Sequence, residues 1–114
     1  MANTFKLVTK ANVTSSDVIY TPNAVTTVIL GLILGNTTSS QVTSTVSLAS
    51  STSNRAGDNN ESNQTVELIT DAPIPAGSSL ELLAGNKVVM EDNDALSVSA
   101  TGSTDVALSI MEIS

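Results

Sequence analysis

The chain has 114 residues, room for one domain of ordinary size and not for two. It holds 17 Ser, 15 Thr and 10 Asn, one Phe, one Tyr and no Trp, His or Cys, and 11 acidic residues against 4 basic ones leave a formal charge of −7. These counts exclude imidazole-based catalysis, disulfide scaffolds, Cys/His zinc sites and a nucleic-acid surface, which needs clustered cations or stacking aromatics.

A chain of this mass buries roughly 65% of its extended surface on folding, enough for one modest core. The absence of Cys fits a reducing compartment. The opening residues carry no apolar stretch of signal-peptide length, so no export signal is expected. The longest apolar run, 28–34, is far short of the roughly 20 residues a membrane-spanning helix needs. A soluble protein is expected, with neither membrane nor nucleic acid as partner.

Alternation of β-branched and polar residues dominates the chain. Residues 4–10 place Phe5, Leu7 and Thr9 on one face, and 17–20 form a short piece closed by Thr21-Pro22-Asn23. Residues 24–34 read as a long strand, apolar on both faces in its second half, with Gly31 marking a bulge or a close backbone approach. Residues 41–50 alternate cleanly, with Val42, Val46 and Leu48 opposite Thr43, Thr45 and Ser47. An exposed loop is expected at about 51–63. A strand over 65–70 follows, with Val66 and Leu68 inward.

Asp71-Ala72-Pro73-Ile74-Pro75-Ala76-Gly77 is the sharpest punctuation, its prolines excluding helix. Two apolar runs, 79–83 and 87–90, flank Gly85-Asn86 and predict a tight hairpin. Glu91-Asp92-Asn93-Asp94 predicts an acidic turn. Leu96, Val98 and Ala100 form another alternating strand, and 106–113 the last. The expected fold is all-β, an antiparallel sandwich or jelly roll of about eight short strands, as a single domain over 1–114.

Two strands carry more apolar residues than one core face needs. In 28–34, Ile29 and Ile33 alternate with Val28, Leu30, Leu32 and Leu34; in the last strand, Ala107, Met111 and Ile113 alternate with Val106, Leu108 and Ile110. An antiparallel strand of a lone small domain keeps one face polar. Ile29, Ile33, Met111 and Ile113 are therefore the expected subunit contacts, with burial of a central strand inside the monomer as the alternative.

No catalytic, cofactor-binding or metal site is expected. Without His, the hydroxyls have only Lys6, Lys10 and Lys87 as activators, and no motif surrounds them. Glu81, Glu91, Asp92 and Asp94 lack the aromatic platforms of sugar-cleaving sites. Asp58, Asn59, Asn60 and Glu61, like Glu91, Asp92 and Asp94, offer oxygen ligands without the spacing of a calcium loop, and read as turn formers. The sequons at Asn12, Asn36, Asn60 and Asn63 match by pattern in a Ser/Thr/Asn-rich chain.

The stretch from Asp71-Ala72-Pro73-Ile74-Pro75-Ala76-Gly77 to Glu81, continued by Gly85-Asn86-Lys87-Val88-Val89-Met90-Glu91, resembles small β-rich virion proteins of tailed bacteriophages, particularly marine cyanophages. So do Ala11-Asn12, Ile19-Tyr20-Thr21-Pro22-Asn23, Thr26-Thr27-Val28-Ile29-Leu30-Gly31 and Ser109-Ile110-Met111-Glu112. The resemblance spans most of the chain but not 51–63, and rests on strand and turn patterns. It implies a non-enzymatic virion structural protein assembled in the host cytoplasm, first of all a capsid decoration (cement) protein. Its expected partners are itself, as a homotrimer, and other virion proteins, the major capsid protein foremost. A neck, tail or fibre component is the alternative, and a receptor- or glycan-binding module, using 51–63, the more remote one.

Overall fold

The computed structural model describes residues 2–51, 64–83 and 87–114. Among them are nine strands and no helix: β1 (Asn3–Val13), β2 (Ser16–Tyr20), β3 (Thr26–Asn36), β4 (Val42–Ala49), β5 (Thr65–Ile74), β6 (Ser79–Leu82), β7 (Val88–Met90), β8 (Ala95–Ala100) and β9 (Thr104–Ile113). Their pairing is nested. β1 pairs with β9, β2 with β8, β3 with β6 and β7, and β4 with β5, all antiparallel. Such a chain is one long hairpin, and rolling it up brings β9 against β3 and β8 against β4. The result is a five-stranded sheet, β1-β9-β3-β6 with β7 also on β3, facing a four-stranded sheet, β2-β8-β4-β5. This is jelly-roll winding, within the expected class.

The core lies between the sheets and follows from period-2 alternation. Leu96, Val98 and Ala100 of β8 and Val42 and Val46 of β4 face Ile29, Leu32 and Leu34 of β3 and Val106, Leu108 and Ile110 of β9, all buried. Each fully buried aliphatic side chain contributes about 1.5–3 kcal/mol over leaving it in water. The alternations read from the sequence in β4, β8 and β9 are those observed.

In β3 the alternation breaks. The register with β9 shifts between Ile29 and Gly31, so the inward set is Thr27 and Ile29 before the shift and Leu32, Leu34 and Asn36 after it. An inserted residue in one strand reverses which parity faces the core. Ile29 is therefore fully buried, and its expected place on a contact surface is corrected. Gly31 sits at the bulge with nothing within 4 Å of where a Cβ would stand, which selects the bulge over the close approach.

Three further expectations are corrected. β6 and β7 form no hairpin: both run antiparallel to β3, one on residues 32–35 and the other on 27–29, as successive pieces along the same edge. β5 does not stop at residue 70 but continues through Pro73 to Ile74, because it is an edge strand and no ladder bond is asked of the missing N–H. Val66, expected inward, is 51% exposed; β5 passes through two register shifts against β4, and only its half-buried Leu68 and Ile69 and buried Ile74 pack on the core. Apart from Ser51, the loop expected at 51–63 lies outside the described residues.

Two polar ties join the sheets. Asn36, buried at the end of β3, donates from Nδ2 to the carbonyls of Ile74 (2.9 Å) and Ser40 (2.8 Å) and accepts at Oδ1 from Thr38 N (2.8 Å). At the other end, Tyr20 of β2 donates its hydroxyl to Glu112 Oε2 of β9 (2.5 Å), with Thr27 Oγ1 2.7 Å away, and Lys6 Nζ lies 2.7 Å from Glu112 Oε1. These ties fix the lateral position of the two sheets, which apolar packing alone leaves loose.

Candidate assembly face

The two sheets differ in what they show the solvent. On the four-stranded sheet, the outward residues of β4 and β8 are small and polar: Thr45 lies opposite Ser99, and Ser47 opposite Ser97. This is the usual condition of a one-sided antiparallel sheet.

The five-stranded sheet is apolar outside as well as inside. Directly opposed residues of an antiparallel ladder share a face. The pairings Phe5–Met111, Met111–Val28 and Val28–Val89 therefore set one apolar row across β1, β9, β3 and β7. Its ends are open, with Phe5 72% and Val89 58% exposed. Leu7, 66% exposed, shares the row of Ser109 and Gly31. Ile33, 45% exposed, stands between Ala107 and Glu81. Small neighbours leave it proud: depressions of about 340 Å³ and 210 Å³ lie on its two sides, one over Gly35 and Ala107, the other over Gly31 and Ser109. Monomeric proteins scatter exposed apolar residues singly, and a contiguous patch marks an interaction surface.

Of the expected contact residues, the structure brings Ile33, Met111 and Ile113 onto this face and removes Ile29 from it. Phe5, Leu7, Val28 and Val89 belong to the face and were not singled out. The alternation of Phe5, Leu7 and Thr9 was visible, but a strand's two faces look alike until its partner is known. Here the exposed Phe5 opposite Met111 fixes the direction.

The charges on this face are Glu81, opposite Ile33, and Asp105, opposite Gly35. Lys6 and Glu112 form a part-buried ion pair on the inner side of β1 and β9. The Lys6 ammonium, with the Tyr20 hydroxyl second, holds the Glu112 carboxyl below its ordinary value. Desolvation, reinforced by the hydrogen bond to the Glu112 carboxylate, raises Tyr20 to about 12.

The carboxylates of the acidic turn are occupied with backbone N–H groups, within the turn and from distant segments. Asp94 accepts N–H bonds from Ser51 (2.8 Å) and Glu91 (2.9 Å), and Asp92 accepts one from Ala24 (2.7 Å). Among the described residues no three His, Cys, Asp or Glu side chains are grouped to hold a metal ion. The loop at 58–61 lies outside those residues.

No protein-family profile and no curated protein matches the chain. Among solved structures, a chain of the Bacillus endospore appendages, a family of disulfide-linked pili, aligns over 96% of this chain and 85% of its own at 12% identity, with a TM-score of 0.42. Two chains from infectious bursal disease virus, one from the Gx strain and one from the T13 viral particle, align over 96% of this chain at 10% and 9% identity, each with a TM-score of 0.40. The alignments span only 36% and 35% of those viral chains. At these identities and scores no function transfers.

Proposed function

We propose that this chain is a non-enzymatic structural component of a virion, folded as one domain over 1–114 and seated through the outer face of its five-stranded sheet. The observation that carries this reading is the asymmetry of the two outer surfaces: one sheet is Ser/Thr-covered over β4 and β8, with Val18 of β2 exposed beside them, and the other is apolar across four strands. An apolar face held in water by an otherwise acidic, well-packed domain is stabilised when another protein covers it, at about 25 cal/mol per Å² removed from water. Jelly rolls recur in viral capsids, although the winding alone does not decide function.

Within that role, the resemblance to small virion proteins of tailed phages favours capsid decoration. The apolar face lies on the major capsid protein and the Ser/Thr face looks outward. Repetition over a symmetric lattice makes a modest contact per copy sufficient.

The test is incorporation into particles. Ile33→Asp with Val89→Asp places two charges on the face without touching the core. The isolated double variant is expected to melt like the parent and to be lost from purified particles. Copy number, by quantitative mass spectrometry of those particles, is expected in the hundreds for a lattice protein; a few copies would move the chain to the neck, tail or fibre. Particles that never contain the chain, or that retain the double variant in full, would overturn the reading.

A further inference from the structure

We propose that β1 is a self-association edge: β1 of one copy pairs antiparallel with β1 of a second copy about a twofold axis at Leu7. This does not depend on the virion reading and can fail separately from it.

Among the described residues the sheets have four edges, and three are interrupted. On the five-stranded sheet, the edge opposite β1 is broken into β6, of 4 residues, and β7, of 3. On the other sheet, β2 has 5 residues and a register shift between Val18 and Tyr20. β5 carries two register shifts, Asp71 with φ 48° and Pro73. Short strands, bulges and prolines are the devices by which folded proteins protect sheet edges. β1 has none of these three from Asn3 to Lys10, where its pairing with β9 is unbroken; the guard it carries is Lys6 and Lys10, which restrict the pairing registers open to it.

That edge presents hydrogen-bonding groups. Ala2 and Ser114 exchange both N–H···O bonds, which fixes the phase of the ladder. By alternation, Thr4, Lys6, Val8 and Lys10 bond to β9, and the N–H and C=O groups of Asn3, Phe5, Leu7 and Thr9 point away from it. Phe5, Leu7 and Thr9 are also the residues on the apolar outer face. Backbone donors and apolar side chains thus leave β1 together, and of the four edges among the described residues only β1 offers an equally long, unbroken strand to receive them.

The two lysines choose the register. With Leu7 opposite Leu7 of the second copy, Phe5 meets Thr9, Lys6 meets Val8 and Lys10 meets Thr4. Sliding by one pairing step sets Lys6 against Lys6, or Lys6 against Lys10, and like charges directly opposed are destabilising. The Leu7-centred pairing joins two five-stranded sheets into one, continues the row of Phe5 and Met111 into the row of Thr9, Ala107 and Ile33 of the second copy, and closes as a twofold dimer rather than the homotrimer implied by the resemblance.

The native chain has no Cys, so single cysteines report the pairing without competition. Leu7→Cys places two thiols opposite each other at about 5.5 Å between Cα atoms, within disulfide range. It is expected to link into a dimer under mild oxidation, whereas Val89→Cys, similarly exposed at the opposite edge, is not. A mixture of Phe5→Cys and Thr9→Cys is expected to give the heterodimer in preference to either homodimer. Leu7→Lys is expected to weaken dimerisation at least tenfold by sedimentation equilibrium, with an unchanged far-ultraviolet circular dichroism spectrum. A parent that stays monomeric at all concentrations, a trimer, or a dimer indifferent to both Leu7→Cys and Leu7→Lys would overturn the proposal. A monomer that still enters particles would overturn it while leaving the proposed function standing.

Discussion

Tyr20 is the chain's only tyrosine, and there is no tryptophan, so its titration can be read directly from tyrosinate absorbance. Its hydroxyl is raised to about 12, chiefly by desolvation and then by the bond to Glu112. A raised value favours the protonated form in the fold. The stabilisation is complete below the ordinary value of 10 and is lost as pH climbs from 10 to 12. Glu112 behaves in the opposite sense: its carboxyl is depressed, so its contribution is present above the ordinary value of 4.5 and is lost as pH falls below it. Glu112→Gln is expected to flatten the acid limb of a melting-versus-pH curve and to lower the Tyr20 midpoint only partly towards 10, because desolvation remains. A Tyr20 midpoint unchanged in the variant would show that the 2.5 Å contact does not form in solution.

At the level of elements, β9 does the most work, pairing with both β1 and β3 and supplying Val106, Leu108 and Ile110 to the core. Ile110→Ala, at a position 1% exposed, is expected to cost about 2–5 kcal/mol by creating a cavity. The control Ile33→Ala, on the outer face, is expected to cost within about 0.5 kcal/mol. Denaturant unfolding checks both, and equal losses would mean that the inward face of the sheet is misassigned. β9, like β4 and β8, was legible because an unbroken alternation has only one way to bury its apolar half. β3 was not: the bulge between Ile29 and Gly31 reverses its parity midway, and a run of aliphatics hides the reversal. β6 and β7 misled for another reason. Two short apolar runs around Gly85-Asn86 carry hairpin chemistry, but β3 is 11 residues long and accepts both in tandem. The candidate face was legible as a surplus of apolar residues in β3 and β9. Its share from β1 and β7 depends on long-range pairing, which local pattern does not encode.

On the scale of the whole molecule, a charge of −7 and an apolar sheet face act against each other. Repulsion between copies keeps such a face from gathering non-specifically, and a specific partner overcomes it with shape and hydrogen bonds. The balance is set to fail near the isoelectric point of about 4.1, where repulsion vanishes while the apolar area is unchanged. Light scattering is therefore expected to peak close to that pH. Ile33→Thr combined with Val89→Thr is expected to lower the peak, since it thins the face without altering net charge. Thr45→Val with Ser99→Val, on the opposite sheet, is expected to raise it by giving the molecule a second apolar face. Scattering that stays flat through the isoelectric point, or that responds equally to both pairs, would mean that the asymmetry of the two faces does not govern association, and the assembly role drawn from it would fall.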